Sequence, residues 1–104
     1  MYTLSEDYGH IRSRRSRVSA EVEEVICRKV GRKRYYSFAN GTPDRMGNPT
    51  RKVVVTANGS LYIVVLSDTL DAITMYDIKD NIADQLSKDE QFKQWIQYNQ
   101  GDKL

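Results

Sequence analysis

One cysteine, one histidine and two prolines are all that this 104-residue chain holds of those residues. A single thiol, Cys27, excludes an internal disulfide and fits a reducing compartment. It reads as a small buried apolar residue rather than a reactive nucleophile. A single imidazole, His10, leaves too few groups for a Ser-His-Asp or Cys-His relay, or for a zinc site. Neither G-x-x-x-x-G-K-[ST] nor G-x-G-x-x-G occurs, so no phosphate-cradling glycine loop is indicated. The longest apolar run, residues 61–66, is far short of the roughly 20 residues that span a bilayer. The opening residues, Met1 to Asp7, carry neither the basic nor the apolar region of a secretory signal. These absences predict a cytoplasmic protein that is not an enzyme, needs no cofactor or metal and makes no membrane contact. The two N-x-S/T sequons, at Asn40 and Asn58, read as turns.

Acidic side chains are scarce where basic ones are dense. Residues 1–52 carry 12 Lys and Arg against 6 acids, and residues 53–104 carry 4 against 8, so the halves are +6 and −4. Most of the base sits in two clusters, residues 12–17 and 28–34. Such clusters set up a local positive field that selects polyanions or acidic protein surfaces. The acids Asp68, Asp71, Asp77, Asp80 and Asp84 invite a Mg²⁺ or paired-carboxylate reading. Helical-wheel positions argue for a solvated face instead, with Asp77, Asp80 and Asp84 opposite Met75, Ile78 and Ile82.

Length and an apolar content of 39% suit one core. Residues 1–17 lack apolar periodicity and read as a basic arm; residues 18–104 read as a single α+β domain. Residues 19–30 fit both a helical face and strand alternation. Their end signals favour helix: Ser19 as N-cap, Glu21 and Glu23 early, Arg28 and Lys29 late, a Glu24–Arg28 pair, and Gly31 as C′ residue. Residues 33–39 read as a strand with Tyr35 opposite Tyr36 and Phe38. Residues 40–50 are turn-rich and form a surface loop. Two apolar runs, 51–57 and 60–66, flank Asn58-Gly59, the signature of a type I′ hairpin, and belong at the centre of the sheet. The rest reads as two helices. Thr74 to Asp77 resembles a capping box opening the first, with Met75, Ile78, Ile82 and Leu86 as its buried stripe. Ser87 to Glu90 is a box for the second, with Phe92, Trp95, Ile96 and Asn99 inward. The fold expected is therefore a small antiparallel sheet of three strands, or four if 19–30 is a strand, with one N-terminal and two C-terminal helices. A C-terminal helix-turn-helix fails on its short connection and on Asp89 and Glu90, which phosphates repel.

Twelve residues are the candidate binding surface. Arg12, Arg14, Arg15 and Arg17 come from the arm. Arg32, Lys33, Arg34, Tyr35 and Tyr36 come from the second cluster, where cations run into aromatics. Arg45, Arg51 and Lys52 extend the surface if the loop folds toward it. Two functions fit. One is a small protein-binding factor, an adaptor or inhibitor, whose basic patch meets an acidic or nucleic-acid-binding site on a larger protein or protein–nucleic acid complex. Small phage- or plasmid-encoded factors share this build. The other is a nucleic-acid-binding accessory protein, its Arg and Lys on phosphates and Tyr35 or Tyr36 stacked on bases. Ser13, Ser16 and Ser19 lie beside arginines, where phosphorylation would cancel charge. Self-association of the basic half on the acidic half is a variant of the first.

Overall fold

A computed structural model describes residues 18–99. Helix α1 spans Ala20–Gly31. Four strands follow: β1 (Tyr36–Asn40), β2 (Arg51–Ala57), β3 (Ser60–Leu66) and β4 (Ala72–Asp77). Two helices close the chain, α2 (Asp80–Ser87) and α3 (Glu90–Asn99). The strands form an antiparallel meander in the order β1-β2-β3-β4. The fold class read from the sequence is thus observed, with four strands. The basic arm of residues 1–17 lies outside the described residues.

Helix α1 resolves the ambiguity at 19–30 through the ends rather than the middle. The Ser19 hydroxyl accepts from Val22 N at 3.2 Å, which satisfies one of the four amides a helix start leaves open. Glu24 and Arg28 pair at 3.1 Å with both side chains about half exposed, a small contribution of about 0.3–0.5 kcal/mol. Val22, Ile26, Cys27 and Val30 form the buried face. Cys27 is 1% exposed, and burial, with Glu23 nearby, pushes its thiol up to about 11. It is a packed apolar group in a chemically quiet state.

The sheet is covered on both faces. Val53, Val55, Ala57, Val64, Leu66, Ala72 and Met75 pack against α1. Val54 and Ile63 pack with Leu86 and Phe92 of the two C-terminal helices. Double coverage explains why β2 and β3 read as unbroken apolar runs instead of alternating. Each fully buried Val or Ile there contributes roughly 1.5–3 kcal/mol from lost water contact. The β2–β3 turn has Asn58 at φ 50 and Gly59 at φ 83, with Ala57 paired to Ser60. Both central residues need positive φ in a two-residue type I′ turn, and Asn-Gly supplies them.

Three local expectations are corrected. The fourth strand comes from residues 72–77, not from 19–30. The segment expected to open a helix pairs with β3 instead, Tyr76 against Ile63 and Met75 against Val64. Ile73, Thr74 and Tyr76 are strand formers, and pairing with β3 buries Ile73 and Met75. Met75 therefore belongs to the α1 side, away from Ile78, Ile82 and Leu86. Helix α2 starts later, with Lys79 as an N-cap that makes no side-chain bond. At α3 the cap is Asp89 rather than Ser87: its Oδ1 accepts from Gln91 N at 2.9 Å and Phe92 N at 3.3 Å. Phe92, Trp95 and Ile96 do pack inward; the side chain of Asn99 lies outside the described residues.

Candidate basic interface

The basic turn after α1 is built by the way the helix stops. Gly31 is the last helical residue and Arg32 the C-cap. The chain then reverses at Lys33, whose φ is 58. Lys33 N donates to Val30 O at 3.0 Å and Arg34 N to Lys29 O at 2.8 Å. These are the two bonds of a Schellman motif, which ordinarily places glycine at the left-handed position. The sequence offers a glycine two residues too early, and a lysine takes the strained site. A left-handed residue with a Cβ costs about 1–2 kcal/mol. Gly31 is therefore not the C′ residue that the sequence suggested.

Lys29 is turned away from this surface. Its Nζ donates to Thr56 O at 2.7 Å and Thr56 Oγ1 at 2.9 Å, and Thr56 is 2% exposed. The β1–β2 register pairs Tyr36 with Val54. Run backward, the same register would set Arg34 opposite Thr56, but β1 begins two residues later. The ammonium supplies a donor at the edge of β2 where the neighbouring strand has ended. Of the second cluster, then, Arg28 is paired with Glu24 and Lys29 is bound into the fold. Arg32, Lys33 and Arg34 remain on the exposed turn. Among the described residues no carboxylate pairs with Arg32 or Lys33.

The two tyrosines are engaged in packing, on opposite sides of the sheet as the alternation predicts. Tyr35 packs against the α1-side cluster. Tyr36 lies on the other, its ring 5.5 Å from Phe92 edge-on and 6.0 Å from Trp95. Its hydroxyl donates to Asp89 Oδ2 at 2.6 Å. That bond, with burial and the Asp89 charge, pushes the Tyr36 hydroxyl up to about 12. The Tyr36 bond and two backbone amides hold the Asp89 carboxyl below its ordinary value. One carboxylate thereby caps α3 and ties it to β1.

The pH dependence of this tie has two edges. A depressed carboxyl stabilises the fold above its unfolded value and loses that contribution as pH falls through its folded one. A raised phenol stabilises below pH 10 and loses that contribution as pH rises toward 12. Tyr36→Phe should lower the melting temperature by a constant amount between about pH 5 and 9. The difference from the parent should shrink in acid below about pH 4 and in base above about pH 10, as measured by thermal unfolding across pH.

The other candidates lie elsewhere. Arg51 and Lys52 begin β2, opposite Asn40 and Ala39, and Arg45 is exposed in the loop before them. Five residues of strand, about 17 Å, separate Arg51 from the level of Arg34. The described candidates therefore form two groups at opposite ends of the sheet. Arg32, Lys33 and Arg34 share one turn; Arg45, Arg51 and Lys52 share the other end. Arg12, Arg14, Arg15 and Arg17 lie outside the described residues. Two contributors were missed from sequence: Lys29, which anchors the turn, and Asp89, which fixes Tyr36. The spacing of Asp89 before Phe92 was the available signal for the second.

No protein-family model, curated protein or solved structure matches this chain. Among the described residues no helix is long and apolar enough to cross a membrane. Nor does any group of three or more His, Cys, Asp or Glu among them stand ready to hold a metal ion.

Proposed function

We propose that this protein is a non-enzymatic binding factor, an adaptor or inhibitor, whose turn Arg32-Lys33-Arg34 meets an acidic surface on a larger protein. One observation carries the reading. A lysine occupies a left-handed backbone site where glycine would relieve strain, and its neighbours on both sides are cations. Strain kept at an exposed position suits a side chain retained for contact rather than for folding. The turn is also ordered by two backbone hydrogen bonds, so little conformational freedom is lost on docking. Nucleic-acid binding draws on the same cations, but its stacking partners are committed: Tyr35 and Tyr36 are both half-buried, and Tyr36 is tied to Asp89. An acidic protein surface therefore fits better than unpaired bases.

The test uses two fluorescent probes, a polyglutamate peptide and a single-stranded oligonucleotide, each titrated at low and moderate salt. The peptide should bind at low salt with a modest salt slope. A steep slope with the oligonucleotide, together with no peptide signal, would move the assignment to nucleic acid.

A further inference from the structure

The two faces of the sheet are covered unequally. On the α1 side twelve of the described residues are buried in one cluster. On the other side four are, Val54 and Ile63 from the sheet, Leu86 from α2 and Phe92 from α3, and eight apolar side chains around them are only half-buried. Helix α1 buries four residues of its own, whereas α2 and α3 bury one each. Hydrophobic attachment scales with the apolar area removed from water, so the C-terminal pair is the more weakly held layer. It is also weak in itself. Helices α2 and α3 have eight and ten residues, lengths that are marginal in water without packing. Lys79 gives α2 no side-chain cap. Asp89 N donates to Leu86 O at 2.9 Å, which joins the end of α2 to the start of α3 and makes the two helices one unit.

This unit reaches across the sheet. Its tether is at β4, one edge, and its latch at β1, the other. The tether is short: Ile78 N still donates to Leu61 O at 3.3 Å, and α2 begins at Asp80. The latch is Tyr36, whose hydroxyl donates to Asp89 Oδ2 and whose ring lies against Phe92 and Trp95. Asp89 also accepts from the Gln91 and Phe92 amides, so the cap of α3 and the tie to β1 share one carboxylate.

We infer that α2 and α3 form a lid that opens from the sheet as one unit, pivoting at Ile78 and Lys79, while α1 and the sheet stay folded, and that the Tyr36–Asp89 bond is its latch. Partial opening draws on the layer with the fewest buried apolar contacts. It bares Val54, Ile63 and the Tyr36 ring. It leaves the basic turn built, because Lys33 N and Arg34 N donate to carbonyls of Val30 and Lys29. Tyr36 is two residues from Arg34, so the lid decides whether an aromatic ring is free beside the cations.

Native-state hydrogen exchange on the full chain in low denaturant tests it. Two conservative variants separate lid opening from global unfolding. Tyr36→Phe removes a bond that is already broken in both the open and the unfolded forms. Exchange should therefore quicken about tenfold in α2, in α3 and at the slowest amides of β2 and β3 alike. Ile26→Val trims the core under α1, which is intact in the open form and lost only on unfolding. It should quicken the slowest amides of α1, β2 and β3 about two- to tenfold and leave α2 and α3 unchanged. In the parent, the amides of α2 and α3 should share one denaturant dependence, shallower than that of β2 and β3 because less surface is exposed. If Ile26→Val quickens all amides equally, the inference is overturned, since the helices would then open only with the whole fold. Separate denaturant dependences for α2 and α3 overturn it too, as does a Tyr36→Phe variant whose helices exchange as slowly as the parent's.

Discussion

Lys29→Met should destabilise the fold by about 2–3 kcal/mol, the largest stability loss expected from any surface-reaching side chain here. The Lys29 ammonium donates to both the carbonyl and the hydroxyl of Thr56. Thr56 is buried, so water cannot readily replace the lost donor, and a buried acceptor left open costs about 1–3 kcal/mol. Methionine keeps most of the aliphatic stem, which separates the hydrogen bonds from packing. Denaturant unfolding measures the loss. A double-mutant cycle with Thr56→Val isolates the hydroxyl part, and a coupling near 1 kcal/mol is expected. The effect should reach the basic turn as well. Lys29 O accepts from Arg32 N at 3.1 Å and from Arg34 N at 2.8 Å, so releasing the side chain from Thr56 loosens the residue that holds the turn. Hydrogen exchange at the Arg34 amide should therefore quicken more than exchange within β3, whose core residues are sealed from both faces.

Replacing Arg32, Lys33 and Arg34 together should remove binding to the acidic peptide while leaving the protein folded. With Arg32→Ala, Lys33→Gly and Arg34→Ala combined, three exposed cations disappear and the left-handed site gains a residue that occupies it freely. Each lost charge contact is worth about 0.5–1 kcal/mol at an exposed surface. Affinity should then fall roughly ten- to hundred-fold at low salt, with a flatter salt dependence. The matching triple at the other end, Arg45→Ala, Arg51→Ala and Lys52→Ala, should change peptide affinity much less, because about 17 Å of strand separates the two groups. Equal losses from both triples would mean that the probe senses total charge rather than this turn.

Much of the architecture could be read from the sequence, and the exceptions have physical causes. Helix α1 was legible because Ser19, the glutamates and the late cations agreed with the apolar spacing. The β2–β3 hairpin was legible because Asn58-Gly59 has little other use between two apolar runs. Strand β4 was not. Met75, Ile78, Ile82 and Leu86 fall at helical spacing by coincidence, and the turn before β4 uses Leu70 in a left-handed conformation, which no turn signature announces. At the candidate site, the sequence located the cations but could not sort them. Arg28, Lys29 and Arg32 are near neighbours in the chain, yet one is paired with Glu24, one is hydrogen-bonded to the edge of β2 and one is exposed. That sorting depends on where β1 begins relative to β2, a tertiary fact. The split between tyrosines was legible from alternation, but the loss of Tyr36 as a stacking surface was not, since it comes from Asp89, Phe92 and Trp95, more than fifty residues away.

Lys33→Gly alone, measured for both stability and peptide binding, addresses the central claim most directly. If the turn keeps a strained lysine for the sake of contact, the two readouts move in opposite directions. Stability should rise by about 1 kcal/mol as the left-handed site is relieved, while affinity for the polyglutamate peptide falls several-fold. A variant that is more stable and binds as well as the parent would contradict the account, because Lys33 would then be strained for no purpose at this surface.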